Sequence, residues 1–198
     1  MTKKLPNHLG GQGKGNVDVA LIEYILSTFK DINTMVDVGC GNGCASLEYN
    51  EVFGVDYTGI DGDYLRLPKS DKFLLHDFTQ GKVIFPDPNV TFDLGYSFEF
   101  LEHVSEEYQS NYMDIFSRCK YLVLTAAPPG QPGHHHVNCK PRKYWIDVFE
   151  KYGFKFLEEI TKTSKSVSNI KSSKGISKGN SEQYFKLSGM VFEKVNQI

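Results

Sequence analysis

The chain has 198 residues, of which 22 are basic and 24 acidic, giving a formal net charge of −2. This length suits one domain rather than two, and the balanced charge excludes the strong basic field of a general nucleic-acid binder. The four cysteines form no C-x-x-C pair, and no apolar run approaches the roughly 20 residues that cross a bilayer. We therefore expect reduced thiols, a cytoplasmic location and no membrane partner, with the oligomeric state left open.

Residues 1–15 are glycine-rich and predict a flexible N-terminal arm, with an arm that folds over a bound ligand as the alternative. They do not form a phosphate-binding loop, because Gly13-Lys14 is followed by Gly15 rather than Ser or Thr, and position 8 is His8.

The remaining residues, 16–198, show strands alternating with helices. Helices are predicted over residues 17–29, 45–50, 106–119 and 143–152. Strands are predicted over residues 34–38, 57–61, 73–77, 92–98, 121–127, 154–157 and, with a bulge at Gly189, 183–195. Only about a dozen residues separate the second strand from the third, too few for a crossover helix. The pattern predicts an α/β, Rossmann-like, doubly wound and mostly parallel seven-stranded sheet with a reduced second helix.

Residues 161–181 are rich in Ser, Lys, Gly and Asn and predict an exposed loop. The five lysines of this segment also suit contact with a phosphate-bearing substrate. A solvated surface loop is the first interpretation.

The end of the first predicted strand and the turn after it read Asp37-Val-Gly39-Cys-Gly41-Asn-Gly43. Glycines let the backbone turn tightly and approach a ligand closely, as nucleotide-binding turns after parallel strands do. A dinucleotide fingerprint would need a glycine at position 44, where Cys44 stands. The D-x-G-x-G-x-G pattern resembles motif I of the class I S-adenosylmethionine (SAM) methyltransferases.

This resemblance implies SAM as the cofactor. It places Asp61 on the ribose hydroxyls, with Asp56 as the rival carboxylate, and Asp77 on the adenine amino group. Asp37 would orient the glycine turn and face the amino-acid end of the cofactor. The other residues implied around the cofactor are Gly39, Cys40, Gly41, Gly43, Gly62, Phe78, Ser97 and Phe98.

Further segments are similar to one bacterial and phage-type branch of these enzymes: Gly-Ile-Asp-Gly-Asp-Tyr at 59–64, Ser-Phe-Glu-Phe-Leu-Glu-His at 97–103, and Pro-Gly-Gln with His-His-Val-Asn and Tyr-Trp between 129 and 145. The resemblance covers about residues 34–155. Trp145 is expected in the core, with Tyr144 or Trp145 as a substrate-pocket wall as the alternative.

The acceptor side is expected at Glu99-x-x-Glu102-His103 and the histidines at 134–136, because both follow strands whose carboxyl ends meet at one edge. The candidate catalytic residues are Glu99, Glu102, His103, His135 and His136. Glu99 or His103 suits a metal-free general base. Alternatively, Glu99, Glu102, His103 and His136 would hold Mg²⁺ or Mn²⁺, an arrangement that resembles small-RNA 3′-end 2′-O-methyltransferases. A positioning role is the third interpretation.

We therefore expect methyl transfer from SAM, with an oxygen of a small molecule or glycan as the first choice of acceptor. A metal-dependent RNA 2′-O-methyltransferase is the second choice. A SAM-binding module without catalytic activity is the non-enzyme alternative.

Overall fold

The structure, a computed structural model, describes residues 5–10, 15–172 and 183–195. Within these ranges the strands are β1 (Asn16–Val17), β2 (Thr34–Val38), β3 (Asp56–Asp61), β4 (Phe73–Leu75), β5 (Phe92–Ser97), β6 (Cys119–Leu124), β7 (Phe154–Phe156), β8 (Lys171–Ser172) and β9 (Met190–Lys194). The helices are α1 (Val19–Thr28), α2 (Cys44–Phe53), α3 (Gln109–Phe116), α4 (Arg142–Lys151), α5 (Glu158–Val167) and α6 (Tyr184–Ser188). Short 3₁₀ turns cover Phe78–Gln80, Leu101–His103 and Glu106–Tyr108.

Seven strands form one sheet in the order β4-β3-β2-β5-β6-β9-β7. The first five are parallel to one another, and β9 runs antiparallel to both of its neighbours, β6 and β7. The predicted doubly wound, mostly parallel seven-stranded sheet is confirmed. A separate two-stranded ribbon pairs β1 with β8.

The central strands are buried on both faces, as their continuous apolar character predicts. In β2 and β6, four and five residues respectively are buried. Helices α1, α2 and α6 contribute to the core on one face of the sheet, and α3 and α4 contribute to the core on the other. This sandwich fixes the carboxyl ends of β2 to β5 along one edge, where the site lies.

The second helix is reduced, as predicted: from residue 62 to residue 72 the described chain makes turns rather than a helix. The short helix predicted at 45–50 is longer, because α2 continues to Phe53 before Gly54 ends it with a φ of +71°. No helix in the described part of the chain combines the length and apolar character that a membrane crossing requires.

Two predictions near the C-terminus were wrong. The loop predicted over 161–181 is a helix to Val167, because Thr161 and Ser164 are small enough to bury one face of α5. It then enters β8; positions 173–181 lie outside the described residues. The strand predicted over 183–195 is instead α6 followed by β9, with the Gly189 N–H bonded to the Phe185 carbonyl.

Candidate active site

A cavity of about 890 Å³ opens at the carboxyl ends of β2, β3, β4 and β5. This is the edge where open parallel sheets bind their ligands. One side is lined by the glycine turn after β2 and by residues that follow β3 and β4, and the other by residues that follow β5 and β6. We call these the cofactor half and the acceptor half.

The glycine turn brings its backbone to the cavity. Gly39 has a φ of +77°, and a Cβ there would lie 2.6 Å from the Phe100 ring, so only glycine fits. The Gly41 N–H donates to Asp61 Oδ2 at 2.8 Å. Gly43 does not line the cavity; with a φ of +68° it caps α2, and a Cβ there would collide with Phe73. Gly43 therefore shapes the start of α2 behind the turn.

Asp61 ends β3 at the cavity and is buried. Its second carboxylate oxygen accepts the Asp63 N–H at 2.7 Å, so backbone N–H groups from two loops hold the side chain. The rival Asp56 begins the same strand at the opposite edge, where it is exposed and pairs with Lys72 at 2.6 Å. Between the two, Asp61 is the carboxylate in position to reach a ligand.

Asp37 lies beneath the glycine turn and is 2% exposed. Its carboxylate accepts a hydrogen bond from the Ser46 hydroxyl at 2.6 Å. Burial raises the pKa of Asp37 to about 7, the Ser46 hydrogen bond opposes this, and the charge of Asp61 adds to it. The side chain is therefore poised to change charge when a cation binds beside it.

Asp77 and Phe78 also line the cavity. One oxygen of Asp77 caps the following 3₁₀ turn through the N–H and hydroxyl of Thr79, and the other lies 2.9 Å from His8 Nε2. Burial would raise the pKa of Asp77, but these hydrogen bonds outweigh it and the pKa is lowered. The predicted adenine contact thus falls on a carboxylate that an N-terminal histidine already touches.

The remaining predicted cofactor residues divide into two groups. Cys40, Gly62 and Phe98 line the cavity. Ser97 is not among the lining residues; it is fully buried, and its hydroxyl donates to the Val38 carbonyl at 2.8 Å, tying β5 to β2.

Glu99, directly after β5, is a carboxylate of the acceptor half that lines the cavity. Its φ is +51°, a region that costs a non-glycine residue free energy and that clusters at functional sites. Thr125 holds it twice: its Oγ1 accepts the Glu99 N–H at 2.8 Å and donates to Oε1 at 2.9 Å. Gln131 donates to Oε2 at 3.2 Å. Burial raises the pKa of Glu99, against the effect of these two donors.

Glu102 lies behind this surface, fully buried and without a hydrogen-bond partner for either carboxylate oxygen among the described residues. Burial and the neighbouring Glu99 carboxylate raise the pKa of Glu102 well above its usual range. Because Glu99 has the hydrogen-bond donors and Glu102 lacks them, a proton shared by the pair resides on Glu102.

His103, His135 and His136 line the cavity beside these carboxylates, whereas His134 is exposed and does not. Burial, with a smaller contribution from His136, lowers the pKa of His103 to about 4, so its imidazole is neutral at pH 7. His136 Nδ1 lies 3.0 Å from the Gln131 carbonyl oxygen, which fixes Nδ1 as the protonated nitrogen and leaves Nε2 as the acceptor. One donor atom each from Glu102, His103 and His136 lies within 4.8 Å of the others, so the cluster has the donor set of a metal site.

Two segments some thirty residues apart build this half, and Asn138 joins them. Its side-chain amide donates to the Val104 carbonyl at 3.0 Å, and its backbone N–H donates to the Glu102 carbonyl at 3.0 Å. Asn138 is 2% exposed. The 134–138 loop is therefore held directly against the Glu102-His103 turn.

Trp145 is a core residue, as expected, and is 1% exposed. Neither Tyr144 nor Trp145 is a lining residue, so the alternative of a pocket wall is wrong.

Sequence reasoning missed several lining residues, among them His8, Leu9, His76, Tyr108 and Gln131. Gln131 stands in a Pro-Gly-Gln-Pro-Gly turn after the fifth predicted strand, which was the available signal. His8 and Leu9 stand in an arm without a motif, so nothing local pointed to them.

Comparison with known proteins agrees with this geometry. Residues 36–120 match the protein family described as a methyltransferase domain. No curated protein matches the sequence.

Solved structures share the fold at low sequence identity. A TehB-like SAM-dependent methyltransferase from Corynebacterium glutamicum has a TM-score of 0.58 at 14% identity, over 89% of this chain and 88% of that one. Human N-acetylserotonin methyltransferase in complex with SAM has a TM-score of 0.53 at 14% identity, over 89% of this chain and 51% of that one. The [4+2]-cyclase SpnF has a TM-score of 0.54 at 13% identity, over 89% and 82% of the two chains.

The presence of a cyclase among these structures shows that the fold alone does not assign the reaction. The assignment rests on the family match, which spans the glycine turn, Asp61, Asp77 and the Glu99-Glu102-His103 segment. The chain thus has the Rossmann-like fold of SAM-dependent methyltransferases, and its residues 36–120 match a methyltransferase domain.

Proposed function

We propose that this enzyme transfers the methyl group of SAM to a hydroxyl oxygen of a neutral small molecule or glycan. The observation that supports this proposal most directly is the single cavity. It joins the glycine turn and Asp61 to Glu99, a carboxylate held by Thr125 and Gln131 at the end of β5.

Methyl transfer from SAM requires little covalent participation by the protein. A sulfonium methyl group is already activated, so in-line placement of the acceptor supplies much of the acceleration. The acceptor oxygen forms a bond to the methyl carbon, the carbon–sulfur bond breaks, and S-adenosylhomocysteine (SAH) leaves. Glu99 takes the hydroxyl proton. It is the better base than His103, because a pKa of about 4 makes the His103 imidazole a weak proton acceptor.

The charge of the cavity supports a neutral acceptor over RNA. Its described lining residues include no lysine or arginine, and the acidic residues among them are Asp37, Asp61, Asp77, Glu99 and Glu107. A phosphodiester brought to this surface would meet like charge without a cationic partner. A hydroxyl of an uncharged molecule meets no such repulsion.

Two experiments test the proposal in sequence. Isothermal titration with SAH should show one binding site, and titration with NAD should show none. Turnover is then measured as SAH formed from SAM with panels of sugars, alcohols, amines and short RNAs. Turnover on hydroxyl compounds is the expected result. SAH binding without turnover on any panel would favour the non-catalytic alternative, and preference for amines would contradict the oxygen acceptor.

A metal-dependent RNA 2′-O-methyltransferase is the second candidate, favoured by the cluster of Glu102, His103 and His136. The unpartnered Glu102 carboxylate and the free Nε2 of His136 fit a divalent ion, with Glu99 alongside. A bound Mg²⁺ or Mn²⁺ would acidify the acceptor hydroxyl. The absence of cationic side chains among the described lining residues places this candidate second.

Thermal unfolding with and without Mn²⁺ separates the two candidates. Under the first proposal the unfolding temperature does not change. Under the second it rises in the wild type, falls back with EDTA, and does not rise in Glu102→Gln, which has the shape of the carboxyl group but binds metal poorly.

A further inference from the structure

Residues 5–10, which we call the N-terminal strap, border the cavity through His8, Leu9 and Gly10. The Leu9 N–H donates to the Pro6 carbonyl at 3.0 Å, which makes the segment a tight turn. His8, Leu9 and Gly10 line the same cavity as Asp61 and Asp77. The strap is therefore part of the chamber.

Its contacts fall on the nucleoside end of the predicted cofactor site. His8 Nε2 lies 2.9 Å from Asp77 Oδ2, while the other oxygen of Asp77 is taken by Thr79. Leu9 packs over Gly62, where a Cβ would lie 2.5 Å from Leu9 Cδ2. The absence of a side chain at position 62 thus makes room for the strap next to Asp61.

The strap walls the cavity without filling it. The volume of about 890 Å³ remains with His8 and Leu9 in place, and this lies within the roughly 300–1,000 Å³ typical of ligand sites. The His8 ring also lies 6.3 Å from the His135 ring, centroid to centroid, so the strap borders the acceptor half as well.

We propose that the N-terminal strap is a wall of the cofactor site, with His8 and Leu9 closing over the nucleoside end of SAM. This rests on the proposed function, since it takes SAM as the ligand. His8 holds the Asp77 carboxylate through its Nε2 atom, and Leu9 would cover the ribose region with an apolar surface. Both residues reduce the exposure of the bound nucleoside to water.

Titration of the full-length protein with SAH tests this. We expect His8→Ala and Leu9→Ala each to raise the Kd for SAH about tenfold, since a hydrogen bond to a charged group and an apolar contact are of this order. In an Asp77→Asn background, His8→Ala should cost less than in the wild type, because its partner is already weakened. Matched controls are His134→Ala and Leu187→Ala, whose side chains are exposed and outside the cavity. Thermal unfolding confirms that each variant is folded.

The outcomes are distinct. Absence of SAH binding by the wild type overturns the proposed function and the strap together. Wild-type binding with an unchanged Kd in both strap variants overturns the strap alone. A lower Kd in His8→Ala also overturns it, because His8 would then occupy the place of the cofactor rather than enclose it.

Discussion

The two halves of the cavity are built by different means. In the cofactor half, each carboxylate stands at or just after the end of its own strand and is held by nearby groups: Asp61 by backbone N–H groups, Asp77 by Thr79, and Asp37 by Ser46. In the acceptor half, two distant segments meet, Glu102 has no hydrogen-bond donor among the residues that the structure describes, and Glu99 and His135 both have left-handed backbones. The cofactor half is thus preorganised by satisfied polar groups, whereas the acceptor half contains strained backbone and a buried carboxyl group without a hydrogen-bond partner among the described residues.

The comparison predicts that the halves can be inactivated separately. Glu99→Gln should lower the rate of methyl transfer by about 10²–10⁴-fold, the usual contribution of a general base, and leave the Kd for SAH unchanged within about twofold. Turnover with an acceptor found in the panel, together with SAH titration, measures both. The matched control is Glu106→Gln, an exposed glutamate outside the cavity. Equal loss in both assays would mean that the halves are not separable.

Substitution of Asp61 should instead weaken the binding of SAH. Asp61→Ala removes the acceptor for two backbone N–H groups and the predicted ribose contact, so SAH binding should weaken about 100-fold. Asp56→Ala, on the same strand, breaks an exposed ion pair with Lys72 and a hydrogen bond from the Tyr57 N–H, both away from the cavity, and should leave the SAH affinity unchanged. If the two variants bind SAH alike, the assignment of Asp61 is wrong.

The raised pKa of Asp37 predicts that the affinity for SAH depends on pH. Its pKa of about 7 lies above the usual 3.8, so protonation stabilises the free protein; that stability is complete below about pH 4 and is lost as the pH rises to about 7. The ammonium group of the cofactor favours the ionised carboxylate. The affinity for SAH should therefore rise up to about tenfold between pH 6 and 8, with proton release on binding. Titrations in buffers of different ionisation enthalpy measure this, and a flat profile in the wild type would contradict it. Asp37→Asn should remove the slope.

The smallest effect concerns the joint between the two acceptor segments. Asn138→Ala leaves the buried Val104 carbonyl without its side-chain donor, which should cost about 1–2 kcal/mol of unfolding free energy in urea. SAH affinity should stay the same, because the cofactor half does not depend on this loop. Asn89→Ala, at an exposed site, should stay within about 0.5 kcal/mol of the wild type. If both variants lose the same unfolding free energy, the Asn138 side chain does not stabilise the contact between the two acceptor segments.

The same contrast explains what the sequence could predict. The resemblance to class I methyltransferases implied the roles of Asp37, Asp61 and Asp77, because the glycine turn and these carboxylates stand in the matching order along the chain. His136 was expected in the acceptor half, because its segment follows a strand that ends at the same edge, whereas the contact of Thr125 with Glu99, 26 residues away, has no local pattern. The helix α5 was missed because its buried face consists of Thr161 and Ser164 rather than apolar residues. For residues 1–15 the sequence left an arm folded over the ligand as the alternative, but it did not single out His8 and Leu9, because their contacts with Asp77 and Gly62 have no local pattern.

The strand order also has a consequence for how the chain folds during synthesis. Among the described strands, β7 pairs only with β9, and β9 separates it from β6. When a ribosome has made residues 154–156, their place in the sheet does not yet exist, and β6 still presents an open edge. Met190–Lys194 must leave the ribosome before the pairing of β6 and of β7 can be completed. While the edge of β6 is unpaired, the nascent chain is exposed to aggregation through that edge.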